Sequence, residues 1–540
     1  IFDSILNRMP APAGRLNPDI PQKLEEIVGK CLEKDRNLRY QHASDLCADL
    51  QRLKRDTESS RQVPMASTLQ LPKSFDSVAV LPLVNVSGDP ETEYLSDGIS
   101  ESIINLLSRL PNLRVIPRTT AFRCKGREAD LKALGRDLNV RTLLTGKVIQ
   151  RGDRLIVQTE LVDVLNDAQL WGGQYNRKID DIFEVQEELA RQISENLRLR
   201  LTSEDEKRLT KRSTQNREAY QLLLKAQYHS NKWTPEGLQR GMAYARQAIE
   251  ADPAYAEAYA GVSAVYGLLG VFGFLPPAEA FPKAKSAALK ALEIDELLAD
   301  AHMVLAMVRL DYEWDWAAAE QACKRAIELN PNLAWAHSFW SDWLLIMGRH
   351  EEAMSEAHLA VELDPLSASL NAKLGQKLYL RRNYDRALEQ LQKGLELDPN
   401  FVSTHMMLAH VYAWKGMYEE SLATCEKVAA LYGGSPFNRA LSSLILAIAG
   451  KTNEAKKILN ELEKQPKLDP LSLVELAQTY SVMGEKTEAF EFLEAAYQER
   501  ALLLVFLGVI PAFDNIRSDP RFAELLRRMG LPQVTLPNQA

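Results

Sequence analysis

The feature that most limits what this chain can fold into is a repeat of fixed length. The segments AIELNP, AVELDP and GLELDP end at Pro331, Pro365 and Pro399, two successive intervals of 34 residues. Related endings stand earlier at Pro253 (AIEADP) and Asp295 (ALEID), and a divergent one, KLDP, ends at Pro470. Between the prolines the sequence fits two helices. Over 334–367 the first carries Trp340 and Leu344 and breaks at Gly348; the second starts near His350 and carries Ala353, Ala357 and Ala360. Leu374, Gly375, Leu378, Tyr384 and Ala387 take the matching places in the next repeat, and Leu408, Ala409, Tyr412, Gly416, Tyr418 and Val428 in the one after. Small residues let helices cross closely and large ones fill the gaps. A proline beyond the second helix stops it, because it lacks the next N–H. One such pair cannot bury its own apolar face, so the pairs must stack into a superhelix with a concave inner surface.

A helical pair of 34 residues has the tetratricopeptide (TPR) period, and the array is expected over 216–530, with a tail at 531–540. The expected fold class is mostly α: a TPR α-solenoid superhelix, preceded by a small α/β domain and a short helical segment. Positions on the first helix of each repeat that share one inward face give Val304, Val308 and Tyr312, then Trp335, Asp342 and Ile346, then Gln376, Tyr379 and Leu380, then Met406, His410 and Trp414. From these, Tyr312, Trp335, Asp342, Gln376, Tyr379, Met406, His410 and Trp414 are the candidate contacts of a groove that binds partner proteins or peptides. Aromatic rings with a few polar groups suit an extended or helical peptide. The alternatives are that several of these side chains are core between repeats, and that the array is a spacer.

Composition narrows the partners. With 540 residues the chain is too long for one core, and 46% apolar with 26% charged residues is ordinary for folded, water-exposed protein. A formal net charge of −8 gives no general attraction to nucleic acid or anionic membrane, so neither is expected as a partner. The five cysteines are odd in number, widely spaced and without a CxxC pair, which fits a reducing cytoplasm and argues against a disulfide framework or structural zinc. The run 258–278 is uncharged, but its four glycines, Pro276-Pro277 and its place in the repeat frame favour a helix followed by a Pro-rich insert over a membrane span. His405 and His410 are five residues apart and do not share a helix face, and His350-Glu351-Glu352 lacks the second His of a zinc-hydrolase motif. No catalytic residue, metal site or cofactor is assigned to this chain.

Residues 74–201 read as a compact α/β domain. SVAVLPLVNV and LRVIPR are strand-like, 94–110 and ADLKALGRDL helical, RTLLTGKVIQRGDRLIVQTELVDV a hairpin turning at Gly152-Asp153, and 182–201 a closing helix. Asp97 and Gly98 stand near the start of a helix, where an anion could sit, although a capping turn also accounts for them, and Trp171 reads as a core anchor. The stretches SVAVLPLVNVSGDPETEYLSDGISESI, LRVIPRTTAF, LLTGKVIQRGDRLIVQTELVD and QLWGGQYNRKIDDIFEVQEELA resemble the TolB N-terminal-like (FlgO-like) domain of bacterial signalling proteins, which precedes TPR repeats in that family. The resemblance implies an architecture more than an activity.

The chain opens on IFDSILNRMPAPAGRLNP, with no initiator Met, basic n-region or apolar h-region, so it reads as the interior of a longer protein rather than a signal peptide. Over 1–56, Leu24, Ile27, Cys31, Leu32, Leu46, Leu50 and Leu53 have the spacing of short packed helices, and 57–73 is a polar linker. The run CLEKDRNLRYQHASDL resembles the last helices of the C-lobe of bacterial serine/threonine protein kinases, with Arg36 where that family usually has proline. The resemblance implies that Asp35 and Arg39 are structural residues of a kinase tail, Arg39 pairing with an activation-segment glutamate that this chain does not contain. It also implies that ATP and Mg belong to an upstream kinase domain. No Gly-rich loop, VAIK lysine, HRD or DFG occurs here, so phosphoryl transfer is not expected of this chain alone. The same sensor-and-repeat cassette also follows winged-helix DNA-binding or cyclase domains, which leaves a transcription regulator or a cyclase as the alternative parent.

Overall fold

The computed structural model describes residues 76–533, apart from 88–91, 111–112, 128–129, 179–180, 198, 200–201, 203–213, 233, 272 and 434, and also residues 27–28 and 30–31. The kinase-like residues Asp35 and Arg39 and the linker 57–73 lie outside the described residues.

Strand β1 (Ser77–Val80) is buried throughout, as its unbroken apolar run requires. Strand β2 (Val84–Asn85) follows, then helix α1 (Glu93–Ser108), strand β3 (Arg114–Val115) and short helices α2 (Arg118–Phe122) and α3 (Leu131–Asp137). Strands β4 (Thr142–Arg151), β5 (Arg154–Asp163) and β6 (Ala168–Lys178) and helix α4 (Ile182–Asn196) complete the domain. The sheet order is β3-β1-β4-β5-β6, with β2 also on β4. β1 lies parallel to β3 and β4, whereas β4, β5 and β6 form an antiparallel meander whose first turn is the expected Gly152-Asp153. Strand β6 was not evident from the sequence: its alternation is half-buried at best, and Gly172-Gly173 interrupts the β-forming text. Helix α1 begins at Glu93, so Asp97 and Gly98 lie within it and not at its N-terminus. Asp97 pairs with Lys125 at 2.9 Å, and a Cβ at Gly98 would come within 2.8 Å of Leu224. The helix therefore offers no anion site at these residues. Trp171 is partly buried against the domain's core.

The rest is a run of antiparallel helix pairs. They are α5 (Arg217–Ser230) with α6 (Pro235–Ala251), α7 (Ala256–Val271) with α8 (Pro277–Ile294), and α9 (Ala299–Met307) with α10 (Trp316–Leu329). Then come α11 (Ala334–Ile346) with α12 (His350–Leu363), α13 (Ala368–Leu380) with α14 (Tyr384–Leu397), and α15 (Val402–Trp414) with α16 (Tyr418–Tyr432). The last are α17 (Pro436–Ile448) with α18 (Thr452–Leu462) and α19 (Pro470–Met483) with α20 (Lys486–Gln498). Side-chain caps start several of them: Asn216, Thr234, Asp315, Ser367 and Asp469 each accept from an N–H of the first turn. Fully buried alanines (Ala284, Ala319, Ala353, Ala387, Ala455, Ala489) sit in the second helices and allow close crossing. The uncharged run 258–278 becomes α7, a turn, and α8 with Pro276 as its N-cap. Among the described residues no helix is long and apolar enough to cross a membrane. The fold is thus mostly helical, a TPR-like solenoid after a small α/β domain.

Candidate protein-interaction channel

From the second pair onward each repeat turns between its two helices through a left-handed residue, Gly273 in the second. From the third pair onward these residues are Trp314, Gly348, Arg382, Gly416, Gly450 and Gly484, with φ of 59°, 78°, 62°, 77°, 75° and 79°. They recur every 34 residues. A side chain in this region costs about 1 kcal/mol over glycine, so Trp314 and Arg382 need contacts that offset it. Trp314 finds them at the end of α20 and at Arg500, and Arg382 finds them in the C-terminal segment. Trp314 packs against Tyr497 at 5.3 Å between ring centroids, with the Arg500 guanidinium 4.2 Å from its own ring. Arg382 donates to the Val509 carbonyl at 2.7 Å and to both oxygens of Asp514 at 2.9 and 3.1 Å.

The C-terminal segment folds back across the inner surface. It forms two 3₁₀ turns, Leu502–Phe506 and Pro511–Ile516, and then helix α21 (Pro520–Arg528). Leu504, Leu507, Phe513 and Ile516 are fully buried. Arg500 donates to the carbonyls of Tyr312 and Glu313, Ser481 to the Ala512 carbonyl at 2.6 Å, and Trp316 to the Met529 carbonyl at 2.8 Å. The α9–α10 repeat therefore meets the α19–α20 repeat through this segment, and the array closes on itself.

The inner helices also carry buried charge. After α9 the chain widens into a π-turn, Val308–Glu313. Asp311 on that turn interacts with a cluster of Asp342, Lys373 and Lys377. Lys373 donates to Asp342 at 3.1 Å; Lys377 lies 2.9 Å from the other carboxylate oxygen, off the axis of a hydrogen bond. Burial raises the Asp311 carboxyl to about 7, against the pull of Lys373. Burial also opposes the charge on Asp342, but the two lysines outweigh it and hold its pKa below the ordinary carboxylate value. Lys377, 1% exposed, is lowered by burial despite Asp342. Farther along, burial disfavours the His410 imidazolium, yet Glu475 outweighs it and raises the pKa. Both ring nitrogens face acceptors, the Met406 carbonyl at 2.9 Å and Glu475 at 3.3 Å.

These contacts locate the groove residues expected from the sequence. Tyr379, His410 and Trp414 come together: Tyr379 meets His410 edge-on at 5.7 Å, and Trp414 stacks with Tyr384, which also touches Tyr379. Asp342, Tyr379 and His410 are buried, while Tyr312, Trp335, Gln376, Met406 and Trp414 are partly exposed. Tyr312 stacks on Phe281 at 5.3 Å. Met406 borders a separate small core around Ala409 and Phe437. Trp335 borders both the main core and a small one around Leu363, tilted on Phe339. Sequence reasoning missed Asp311, Lys373, Lys377, Glu475, Arg382 and Asp514. The one signal available was Arg382, which stands where neighbouring repeats have glycine. Among the described residues no group of three or more His, Cys, Asp or Glu is placed to hold a metal.

A second contact surface joins the α/β domain to the array. The turn residue Asn332 accepts from Val115 N–H at 3.1 Å and donates to the carbonyls of Ser108 and Leu113 at 3.0 and 2.9 Å. One turn on, Thr120 donates to Asp364 at 2.6 Å and Arg114 to the Glu362 carbonyl. At the next turn Arg123 donates to the Leu397 carbonyl. Burial pushes the Asp364 carboxyl up to about 6, against the Thr120 hydrogen bond. The segments first noted as helix stops thus dock β3 and α2. On the other side, α1 and α4 share one hydrophobic core with the first two helix pairs, where the Tyr220 hydroxyl joins Ser102 and Gln186 at 2.9 and 2.8 Å.

Two stretches of the chain match known families. Residues 74–192 match the family described as HilA/YgeH-like transcriptional regulator, second domain, and residues 407–502 match the N-terminal TPR repeats region of Psidin. Among curated proteins, "Putative adenylate cyclase 3" of Rhizobium meliloti (strain 1021) is 36% identical over 196 residues, 36% of this chain. That match spans 33% of the relative's length. Similar solved structures include a thermophilic TPR protein of Thermus thermophilus, 16% identical over 36% of this chain and 98% of that one, TM-score 0.30. PilF of Pseudomonas aeruginosa is 22% identical over 43% and 97%, TM-score 0.30.

Proposed function

We propose that this chain is the regulatory and protein-interaction region of a larger signalling protein, in which the repeats recruit partner proteins or peptides. The observation that supports it most is the shared core of the α/β domain and the first helix pairs, reinforced by hydrogen bonds to three successive inter-repeat turns. Two domains on a free linker would move independently. Here a change sensed by one is transmitted as a displacement of the other, and a module of this kind needs an effector to act on. From the resemblance of 1–56, that effector is a serine/threonine kinase supplying its own ATP and Mg, with the α/β domain of TolB N-terminal-like type. A second reading, favoured by the relative named as an adenylate cyclase and by the HilA-like match, gives the same cassette to a cyclase or a transcription regulator.

The test is to express the protein with whatever sequence precedes Ile1 and assay three activities side by side: transfer of phosphate from Mg-ATP to protein, formation of cyclic AMP, and binding of duplex DNA. Phosphoryl transfer that changes on deleting the array supports the kinase reading. Cyclic AMP or DNA binding replaces it. A preparation whose activity is indifferent to the array removes the regulatory role.

A further inference from the structure

The segment that crosses the inner surface is built unlike the repeats it closes. In an α-helix its carbonyls would be used within the helix; in two short 3₁₀ turns several are free to accept from elsewhere. The channel supplies the donors: Arg382 to Val509, Ser481 to Ala512. Recognition is therefore by main-chain carbonyls, by apolar side chains in the channel, and by one carboxylate, Asp514, on the Arg382 guanidinium, which it shares with Arg517 of its own segment at 2.7 Å. That is how a groove holds a peptide. The latch lies near the surface, with Asp514 47% and Arg382 14% exposed, so it can be broken without opening the core. Arg382 also occupies a left-handed turn position that is glycine in four of the five other repeats compared above, a placement its contacts with the segment explain.

We propose that residues 500–517 are a built-in occupant of the repeat channel, and that the channel's external partner is a peptide of the same chemistry: a short apolar run, irregular in backbone, followed by one carboxylate. The proposal rests on the reading that the array binds protein segments, and names the kind of segment. Release of the segment would uncover the channel surface against which its Leu504, Leu507 and Phe513 are buried. The event is therefore exchange, in which the partner repacks the surface that the segment leaves.

The experiment uses the full chain in four forms: unaltered, Arg382→Gly, Asp514→Arg and the double variant Arg382→Asp/Asp514→Arg. Glycine suits the left-handed turn, so Arg382→Gly removes the latch without straining the repeat. Asp514→Arg breaks the latch in the chain but keeps Arg382 for a ligand. Amide hydrogen exchange is expected to rise over 500–517 in both single variants, with helix content by circular dichroism unchanged. A fluorescent synthetic peptide of residues 500–517 is expected to bind the Asp514→Arg chain about tenfold more tightly than the unaltered chain, and the same peptide carrying Asp514→Arg to lose that gain. The double variant Arg382→Asp/Asp514→Arg is expected to regain the original protection. Unchanged exchange in both single variants would overturn the latch. Raised exchange without peptide binding would overturn the partner chemistry, and loss of helix throughout would make the segment an inseparable part of the core. Because exchange reports release with no partner present, a chain that opens yet captures nothing counts against partner binding rather than against the latch.

Discussion

Replacing Asn332 by alanine should loosen the α/β domain from the array. Its side chain is 8% exposed and makes three hydrogen bonds across the junction, of 3.1, 3.0 and 2.9 Å. At about 1 kcal/mol net for each bond the loss is about 3 kcal/mol, rising to about 5 if the Val115 N–H and the Ser108 and Leu113 carbonyls stay dry and unpaired. Asn332→Asp is the sharper variant. It keeps the acceptor for Val115 but turns two donations into oxygen facing oxygen, so it should cost more than alanine although it is closer in shape. Urea unfolding gives the stability change, and amide exchange at Val115 gives its location, since that N–H should become the first in β3 to exchange. An Asn332→Ala protein within about 0.5 kcal/mol of the original, or an aspartate variant no worse than alanine, would refute the assignment of this turn as a structural junction.

Other expectations follow from the same contacts. Asp364, pushed by burial from an ordinary 3.8 to about 6, destabilises the folded chain when ionised. Its stability contribution is complete below about pH 4 and lost as pH rises through about 6, so Asp364→Asn should gain up to about 3 kcal/mol over the original at pH 7 and nothing at pH 4 in paired denaturation curves. Asp342→Ala leaves the buried Lys377 without its counter-ion, and thermal unfolding should show a loss of about 3–5 kcal/mol. Gly146→Ala places a Cβ within 2.1 Å of the Gln158 carbonyl oxygen on the paired strand, and should cost about 1–3 kcal/mol in urea, with exchange rising first in β4 and β5.

The parts legible in the sequence are those whose signal is local. The prolines and glycines that punctuate each repeat, the apolar run of β1 and the Gly152-Asp153 turn all state their structure within a few residues. The groove was only partly legible. Helical phase brought Tyr379, His410 and Trp414 to one place, because phase is set by 3.6 residues per turn. It could not show that Asp342 is neutralised by Lys373 and Lys377 from the first helix of the next repeat, since that depends on how far one repeat is rotated on the next. Strand β6 was hidden because half-exposed alternation around two glycines resembles loop text.

By itself, then, the 34-residue period determined that the chain stacks helix pairs and turns inward. Only the tertiary structure decided what fills the inside. Arg382 and Asp514 are separated by 132 residues, and no local preference of either points to the other. They meet because small rotations accumulate from repeat to repeat until the array closes, and because the apolar C-terminal segment finds its lowest free energy across the surface so enclosed.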